Sequence, residues 1–306
     1  KAAASAVGGD SKSFMDATKF LVANMVRSVT KKMEISMLYG GTGLGTVASV
    51  TGSTLTIATA EFASGIWSGA ENMPVEITAA DGVTVRGLAN VASVSLELKA
   101  ITLDALPAGT VATDIIWMKT ARGNEMTGIH GILTNAGTLF GISAATYSLW
   151  KGNSYNAAGQ LSLNKIEKAI ALAVAKGLDS DVTVLVSPTT WADLLSEQTA
   201  LRRFDSSYSP ETVKTGSKAI TFYGQNGMVQ IEPTIYCKEG HAYILDMQTF
   251  SRVGSCEVTF ERPGGEGKFF QDLEATAGYQ LRAFSDQAVF CDAPGRSVHI
   301  SGIVNS

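Results

Sequence analysis

The side chains of this chain that could do chemistry are few and lie far apart in the sequence. Its three histidines, His130, His241 and His299, each stand beside apolar residues in stretches predicted to be strands or turns. An isolated imidazole in that setting is more often a hydrogen-bonded structural residue than a general base or a metal ligand. We therefore predict a structural role for each histidine on its own.

The three cysteines, Cys237, Cys256 and Cys291, are also far apart, and no pair has the spacing of a metal-binding or redox motif. An odd number of cysteines cannot be fully paired within one chain. The sequence therefore predicts free thiols in a reducing interior and no disulfide framework.

Two glycine-rich segments resemble parts of phosphate-binding loops, at residues 41–45 and 264–268. The first follows a predicted helix, whereas a dinucleotide-binding loop follows a strand. In the second, Phe269 stands where a magnesium-binding hydroxyl would be needed. Because no other catalytic motif is recognisable, we predict no catalytic, cofactor-binding or metal-binding residue, no cofactor and no enzymatic activity.

One charged group invites a hypothesis, and it consists of Glu261, Arg262, Glu266 and Lys268. Both signs of charge lie on a glycine-rich loop at the tip of a predicted two-stranded ribbon. A solvated turn is the ordinary role of such a loop. The length of the ribbon favours a second role, a self-complementary contact in which the loops of neighbouring copies meet around a symmetry axis.

Composition favours a surface that can be buried between subunits. Charged residues make up 17% of the 306 residues, against roughly 25% in an average soluble domain. Interface cores are depleted in charge, although a weakly charged monomer would have the same composition. The net charge of −4 argues against a dedicated nucleic-acid reader. No apolar run reaches the ~18 residues of a membrane span, so we predict no membrane partner.

Periodicity predicts an α+β class. Apolar residues recur every four positions in 11–38, which predicts a long helix, and helices are also predicted at 162–176 and 189–199. Residues 135–159 are rich in Gly, Ser, Asn and Tyr, and this composition predicts an extended loop. Ser206 to Ser217 is predicted to be a surface loop.

Residues 46–120 predict a small antiparallel barrel or sandwich, because short alternating segments follow one another with turn signals between them. The sequence Val47-Ala-Ser-Val50 recurs as Val91-Ala-Ser-Val94. We expect this internal echo to mark two similar hairpins around one core.

In their order, these elements resemble the major capsid proteins of tailed bacteriophages with the HK97-like fold. The resemblance rests on a helix that ends in a glycine turn at 38–45, the segment 128–135, a strand, Ser-Pro turn and helix at 184–195, and a ribbon at 256–301 with the charged loop at its tip. These passages cover most of the chain outside 46–120.

The resemblance implies five segments. They are an N-terminal tail and spine helix of the peripheral domain (1–45), an inserted β-domain (46–120), an axial domain (121–255), the peripheral-domain ribbon and loop (256–290), and a C-terminal return to the axial domain (291–306). The inserted domain would project outward or brace a neighbour.

The function implied by the resemblance is that of a structural major capsid, or head, protein of a tailed phage or prophage. Copies would self-assemble into hexamers and pentamers of an icosahedral shell around double-stranded DNA, which would lie near the subunit without specific binding. Portal, scaffold and decoration proteins are further partners of such subunits. The location would be the virion, after assembly in the cytoplasm of a bacterial host.

Three alternatives stay open. An encapsulin-like nanocompartment shell protein would share the fold and enclose cargo instead of DNA. An adhesive or carbohydrate-binding protein would use the β-domain and would need clustered aromatic side chains, but Trp67 and Trp117 are the only tryptophans in that segment. An enzyme with an unfamiliar site is the least favoured reading.

Overall fold

The computed structural model describes residues 17–202, 220–261, 271–272 and 279–306. Its α-helices are α1 (Ala17–Tyr39), α2 (Ser64–Trp67), α3 (Ile129–Thr134), α4 (Leu163–Val174) and α5 (Pro188–Arg202). The strands are β1 (Gly45–Thr51), β2 (Thr54–Ile57), β3 (Pro74–Thr78), β4 (Val85–Ser95), β5 (Ala100–Leu103), β6 (Ile115–Met118), β7 (Thr138–Leu139), β8 (Ile142–Ser143), β9 (Asn153–Gly159), β10 (Val182–Val186), β11 (Ile220–Tyr223), β12 (Met228–Pro233), β13 (Ala242–Leu245), β14 (Phe250–Thr259), β15 (Gln271–Asp272), β16 (Tyr279–Gln280), β17 (Phe284–Cys291) and β18 (Val298–Ile303).

The first six strands close into an antiparallel barrel in the order β1-β2-β5-β4-β3-β6, with β6 pairing back to β1. Inward positions alternate along the strands, so that Leu55, Ile77 and Ile101 are fully buried. The predicted small antiparallel barrel is therefore confirmed, and the sandwich alternative is excluded. The segments that precede and follow the barrel lie next to each other, because the Gly128 N–H donates a hydrogen bond to the Gly40 carbonyl at 2.9 Å.

The internal echo corresponds to two hairpins with the same irregularity. Val47 and Val91 begin the repeated segments in β1 and β4, and the register shifts between Val47 and Ser49 and again between Val91 and Ser93. The second strands of the two hairpins, β2 and β5, pair with each other, so the four strands stand in the order β1-β2-β5-β4. The expectation of two similar hairpins around one core is confirmed.

The second half of the chain builds a six-stranded mixed sheet in the order β11-β12-β10-β13-β18-β9. Helix α4 packs its apolar side chains on this sheet, where Ile166 and Ile170 join Val184 and Ile300 in one buried cluster. The Ser162 hydroxyl accepts a hydrogen bond from the Lys165 N–H at 3.3 Å and caps the N-terminus of this helix, which confirms the helix predicted at 162–176.

Helix α1 is buried only at its C-terminal end. Ile35, Leu38 and Tyr39 join the barrel core, which continues into Tyr243 of the mixed sheet. The predicted apolar stripe on this helix does not form a buried face, because Leu21 near its start is 63% exposed. Most of α1 therefore lies outside the cores of the described part of the chain.

The ribbon consists of β14 and β17, which pair antiparallel from Phe250 with Cys291 to Thr259 with Phe284. It begins six residues before the ribbon expected at 256–301, and the short β15–β16 pair precedes β17. The last strand, β18, pairs with β13 and β9 and so joins the mixed sheet.

Part of the predicted loop at 135–159 is a strand, and this prediction was wrong. β9 pairs parallel with β18 over Val298–Asn153 to Ile303–Gly159. Its small and polar side chains do not alternate clearly with apolar ones, and they suit an edge strand that buries little. The predicted surface loop from Ser206 to Ser217 lies outside the described residues.

The observed mixture of helices, a mixed sheet and a closed six-stranded antiparallel barrel confirms the predicted class at that level. The five-segment division into axial and peripheral domains stays a prediction. Among the described helices, none is both long enough and apolar enough to cross a membrane.

Candidate functional site

The predicted contact group at the ribbon tip is only partly within the described residues. Glu261 follows the end of β14, is exposed, and its N–H donates a hydrogen bond to the Thr259 hydroxyl at 3.1 Å. Arg262, Glu266 and Lys268 lie outside the described residues. Their role in contacts between copies stays a prediction.

The three histidines, predicted to act separately, lie together where the barrel, α3 and the mixed sheet meet. His130 is on α3, His241 directly precedes β13, and His299 is on β18. The His241 and His299 rings are stacked with centroids 5.0 Å apart, and the His130 ring meets His299 edge to face at 4.9 Å. One nitrogen from each ring lies within 4.8 Å of the other two.

Glu61 of the barrel fixes the tautomer of His241. The carboxylate Oε1 lies 3.0 Å from Nε2 of His241, and His241 Nδ1 lies 2.8 Å from His299 Nε2. An ionised carboxylate can only accept, so Nε2 of His241 carries the proton and Nδ1 is left with a bare lone pair. That lone pair is directed at His299.

Lys238 places a buried positive charge beside this carboxylate. Its ammonium lies 2.6 Å from Glu61 Oε2 and 3.3 Å from the Gly43 carbonyl, and the Lys238 side chain is 3% exposed. The ammonium also lies 4.4 Å from the centre of the Tyr39 ring, at cation–π distance. Thus the loop before β13, the end of α1 and the barrel share one polar network.

The third histidine is held by a phenol. Nδ1 of His130 lies 2.9 Å from the Tyr243 hydroxyl. The Tyr39 ring lies beside the rings of His130 and Tyr243. Its hydroxyl accepts a hydrogen bond from the Lys238 N–H at 2.8 Å. Burial raises the pKa of both phenols well above the ordinary value, so each stays protonated and can donate.

The electrostatics of the junction keep His130 and His299 neutral and the Glu61 carboxylate charged. Burial, with the neighbouring His299 and His241, lowers the pKa of His130 to about 3. Burial and His241 lower the pKa of His299 to about 4. Burial alone would raise the pKa of Glu61, but the hydrogen bond from His241 and the charge of Lys238 outweigh it and hold this pKa well below its usual range. Neutral imidazole is the form that binds metal ions.

A second candidate surface is formed by α1 and the ribbon, which we call the arm. The Ser285 hydroxyl of the ribbon lies 3.7 Å from the Met33 sulfur of α1, and both line a cavity together with Gln287. Five consecutive residues of β14, Ser251 to Ser255, are exposed. Because successive side chains of a strand point to opposite faces, neither face of the ribbon is covered there.

Sequence reasoning missed the histidine junction because nothing local marks it. His241 and His299 are 58 residues apart, and Glu61 lies 180 residues before His241. The available signal was compositional, since a chain with three histidines has placed all of them next to apolar residues. Three such positions are compatible with one shared location as well as with three separate ones.

Comparison with known proteins gives no family for this chain. No family model matches the sequence, and no curated protein matches it. One solved structure that resembles it is a chain of the cyanophage A-1(L) capsid asymmetric unit, with a TM-score of 0.44 and 11% sequence identity over 60% of this chain. The match spans 61% of that capsid chain, less than two thirds of its length. A likeness at this level carries no functional conclusion, which has to rest on the residues of the chain itself.

Proposed function

We propose that this protein is a structural subunit that assembles with copies of itself into the shell of a tailed phage or prophage. The observation that carries the proposal is the arm. A helix of 23 residues and a long ribbon meet near Met33 and Ser285, and the N-terminal part of the helix and β14 bury little of their own surface. Elements of this kind gain most of their stability from packing, so an exposed pair calls for a covering surface.

Apolar side chains support a protein surface as the cover. Phe20, Leu21 and Val26 of α1 are exposed, and so is Val253 of the ribbon. Apolar groups gain free energy when they leave water, at about 25 cal/mol per Å². A second copy of the chain is the proposed occupant, because the low charge of the sequence suits interfaces and the order of elements resembles that of a shell protein that contacts itself.

In this proposal the arm would make the contacts between capsomers, and the mixed sheet with α4 and α5 would surround the axis of each hexamer or pentamer. The barrel would project from the shell. Enclosed double-stranded DNA would be near the subunit without base-specific contacts, in keeping with the net charge of −4. We assign no catalytic step to this chain.

Particle mass and shape test the proposal. The purified chain is examined by light scattering and negative-stain electron microscopy over a range of protein and salt concentrations. We expect capsomer-sized oligomers and closed particles. A chain that stays monomeric at its highest soluble concentration contradicts the proposal, and particles that enclose protein cargo and exclude DNA favour the nanocompartment alternative.

A matched pair of substitutions tests whether the arm is the contact. Leu21→Glu on α1 is expected to prevent particle formation while the monomer keeps its circular dichroism spectrum. Leu98→Glu in the barrel is the control, because Leu98 is also exposed, at 73%. If the Leu21→Glu and Leu98→Glu variants assembled equally well, the arm would not be the contact between copies. The ribbon-tip prediction is tested in the same assay with Arg262→Glu, for which we expect folded subunits without closed shells.

A further inference from the structure

We propose that His130, His241 and His299 form a binding site for one first-row divalent metal ion of the zinc class. This site is independent of the assembly function proposed above, because all three ligands belong to one chain. Three imidazoles from three separate segments meet at one largely buried point. Imidazole nitrogen is a preferred ligand of Zn²⁺, and three protein ligands leave a fourth tetrahedral position for water.

The distances fit a small adjustment of the rings. Zn–N bonds of about 2.0–2.1 Å in a tetrahedral site put ligand nitrogens about 3.4 Å apart. The His241–His299 nitrogen pair is 2.8 Å apart, and the whole set lies within 4.8 Å. Side-chain rotations that open the first pair and bring His130 closer would place all three nitrogens at bonding distance.

Each outer contact directs a ring nitrogen inward. Nε2 of His241 is occupied by Glu61 and Nδ1 of His130 by Tyr243. Within the described part of the chain, no hydrogen bond is made by the remaining nitrogen of His130. A carboxylate behind one ligand and a hydroxyl behind another are typical outer partners of metal-bound histidines, which they orient and make more basic.

The charge balance also accommodates a cation. Glu61 lies between the Lys238 ammonium and His241, at 2.6 Å from the former and 3.0 Å from the latter, so its negative charge screens the ammonium. Metal entry needs no proton release. The proton that His299 shares with His241 moves to the other nitrogen of the His299 ring, and both lone pairs then face the ion.

Zinc titration of the intact chain is the first test. The protein is stripped with EDTA, dialysed and titrated with ZnCl₂ by isothermal calorimetry, and with Co²⁺ while the visible spectrum is recorded. We expect one ion per chain and the intense cobalt absorption of a four-coordinate nitrogen–oxygen site. Failure to bind zinc at one per chain overturns the proposal.

Variants then locate the ion. His130→Gln and His299→Gln are expected to abolish stoichiometric binding, and Glu61→Gln to weaken it about 10–100-fold as an outer partner. Cys256→Ser is the control, because this cysteine is only partly buried and lies in the ribbon. The Cys256→Ser variant should bind zinc as the unchanged chain does. Binding that survives in the histidine variants, or is lost in the cysteine variant, contradicts the assignment.

A third measurement does not depend on whether the variants fold. The chain contains three histidines, so the imidazole ¹⁵N resonances of the unchanged protein report on this site alone. We expect all three rings to change their nitrogen shifts together on addition of one equivalent of zinc. A ring that stays unaffected is not a ligand, and the three-histidine site is then wrong.

Discussion

The ammonium of Lys238 lies 2.6 Å from the Glu61 carboxylate, and this contact ties the mixed sheet to the barrel. Lys238 is almost completely buried, whereas Glu61 retains some contact with solvent. Removal of one partner from a buried pair leaves an uncompensated charge, which costs far more than the pair itself contributes. The junction should therefore be sensitive to single changes and tolerant of paired ones.

Lys238→Met is expected to lower the free energy of unfolding by about 3–5 kcal/mol, because it leaves Glu61 without its ammonium. Urea denaturation followed by tryptophan fluorescence measures the loss. Combining Lys238→Met with Glu61→Gln should cost less than the sum of the single changes. Arg252→Gln is the control, since the Arg252–Glu257 pair is exposed and should cost less than about 1 kcal/mol. Equal losses for the buried and the exposed pair would contradict this prediction.

Acid should destabilise the metal-free protein between about pH 6.5 and 4. The pKa of His130 is about 3 and that of His299 about 4, both below the ordinary 6.5 of an unfolded chain. Between pH 6.5 and the folded-state pKa values, the unfolded state binds more protons than the folded state does. The free energy of unfolding therefore has the full contribution of the two rings above pH 6.5 and falls as the pH is lowered. The slope should be about 1.4 kcal/mol per pH unit for each ring.

Denaturation in urea at a series of pH values, with EDTA present, checks this slope. His130→Gln is expected to lower the slope by the share of one ring, whatever it does to stability at neutral pH. A slope that His130→Gln leaves unchanged would show that this ring is not buried in its neutral form.

Trp117→Phe is expected to cost about 1–3 kcal/mol, because it leaves the buried Thr78 hydroxyl without its hydrogen-bond donor. The indole Nε1 donates to Thr78 Oγ1 at 2.9 Å, and both side chains are buried in the barrel. Thermal unfolding measures the loss. The double change Trp117→Phe with Thr78→Val should recover part of this lost stability. If the double variant recovers none of it, the loss comes from packing and not from the hydrogen bond.

Gly254→Ala is expected to separate the ribbon strands and prevent assembly while the two cores stay folded. A Cβ at position 254 would lie 2.0 Å from the Asp286 carbonyl oxygen of the partner strand. Gly137→Ala is the control, because its Cβ would approach nothing closer than 3.8 Å. Hydrogen exchange in β14 and particle formation are the readouts. Normal particles from Gly254→Ala would contradict a role for the paired ribbon in assembly.

Local patterns predicted α1, α4, α5 and the barrel because their signals are contained in short stretches. The short helices α2 and α3 were not predicted, and His130, expected in a strand or turn, lies on α3. Pro188 at the start of α5, Ser162 as a cap and the Val-Ala-Ser-Val repeat each act over a few residues. β9 was missed because an edge strand needs no alternating apolar side chains, and it is specified by its partner β18 instead.

The histidine junction could not be predicted, because it depends on how three distant segments pack. His130 and Tyr243 are 113 residues apart in the sequence yet share a hydrogen bond. Periodicity shows that each residue borders a core, but not that the barrel core and the mixed sheet meet at the same point. Glu61, the residue that fixes the tautomer of His241, lies on a short turn after β2 and has no local feature to distinguish it from other acidic residues of the chain.

The way the barrel closes has a practical consequence for engineering. Because β1 pairs with β6 and Gly40 bonds Gly128, the barrel forms a cassette whose two ends are adjacent. A short linker could replace it, or another domain with neighbouring termini could be displayed at the same position. Such an exchange would have to restore the contacts that the barrel segment makes with the rest of the fold. Among them are the Glu61 carboxylate that meets Lys238 and the Phe62 and Ala60 carbonyls that accept hydrogen bonds from the Glu239 and Gly240 N–H groups. A graft that omits the carboxylate would carry an unbalanced charge into the remaining fold.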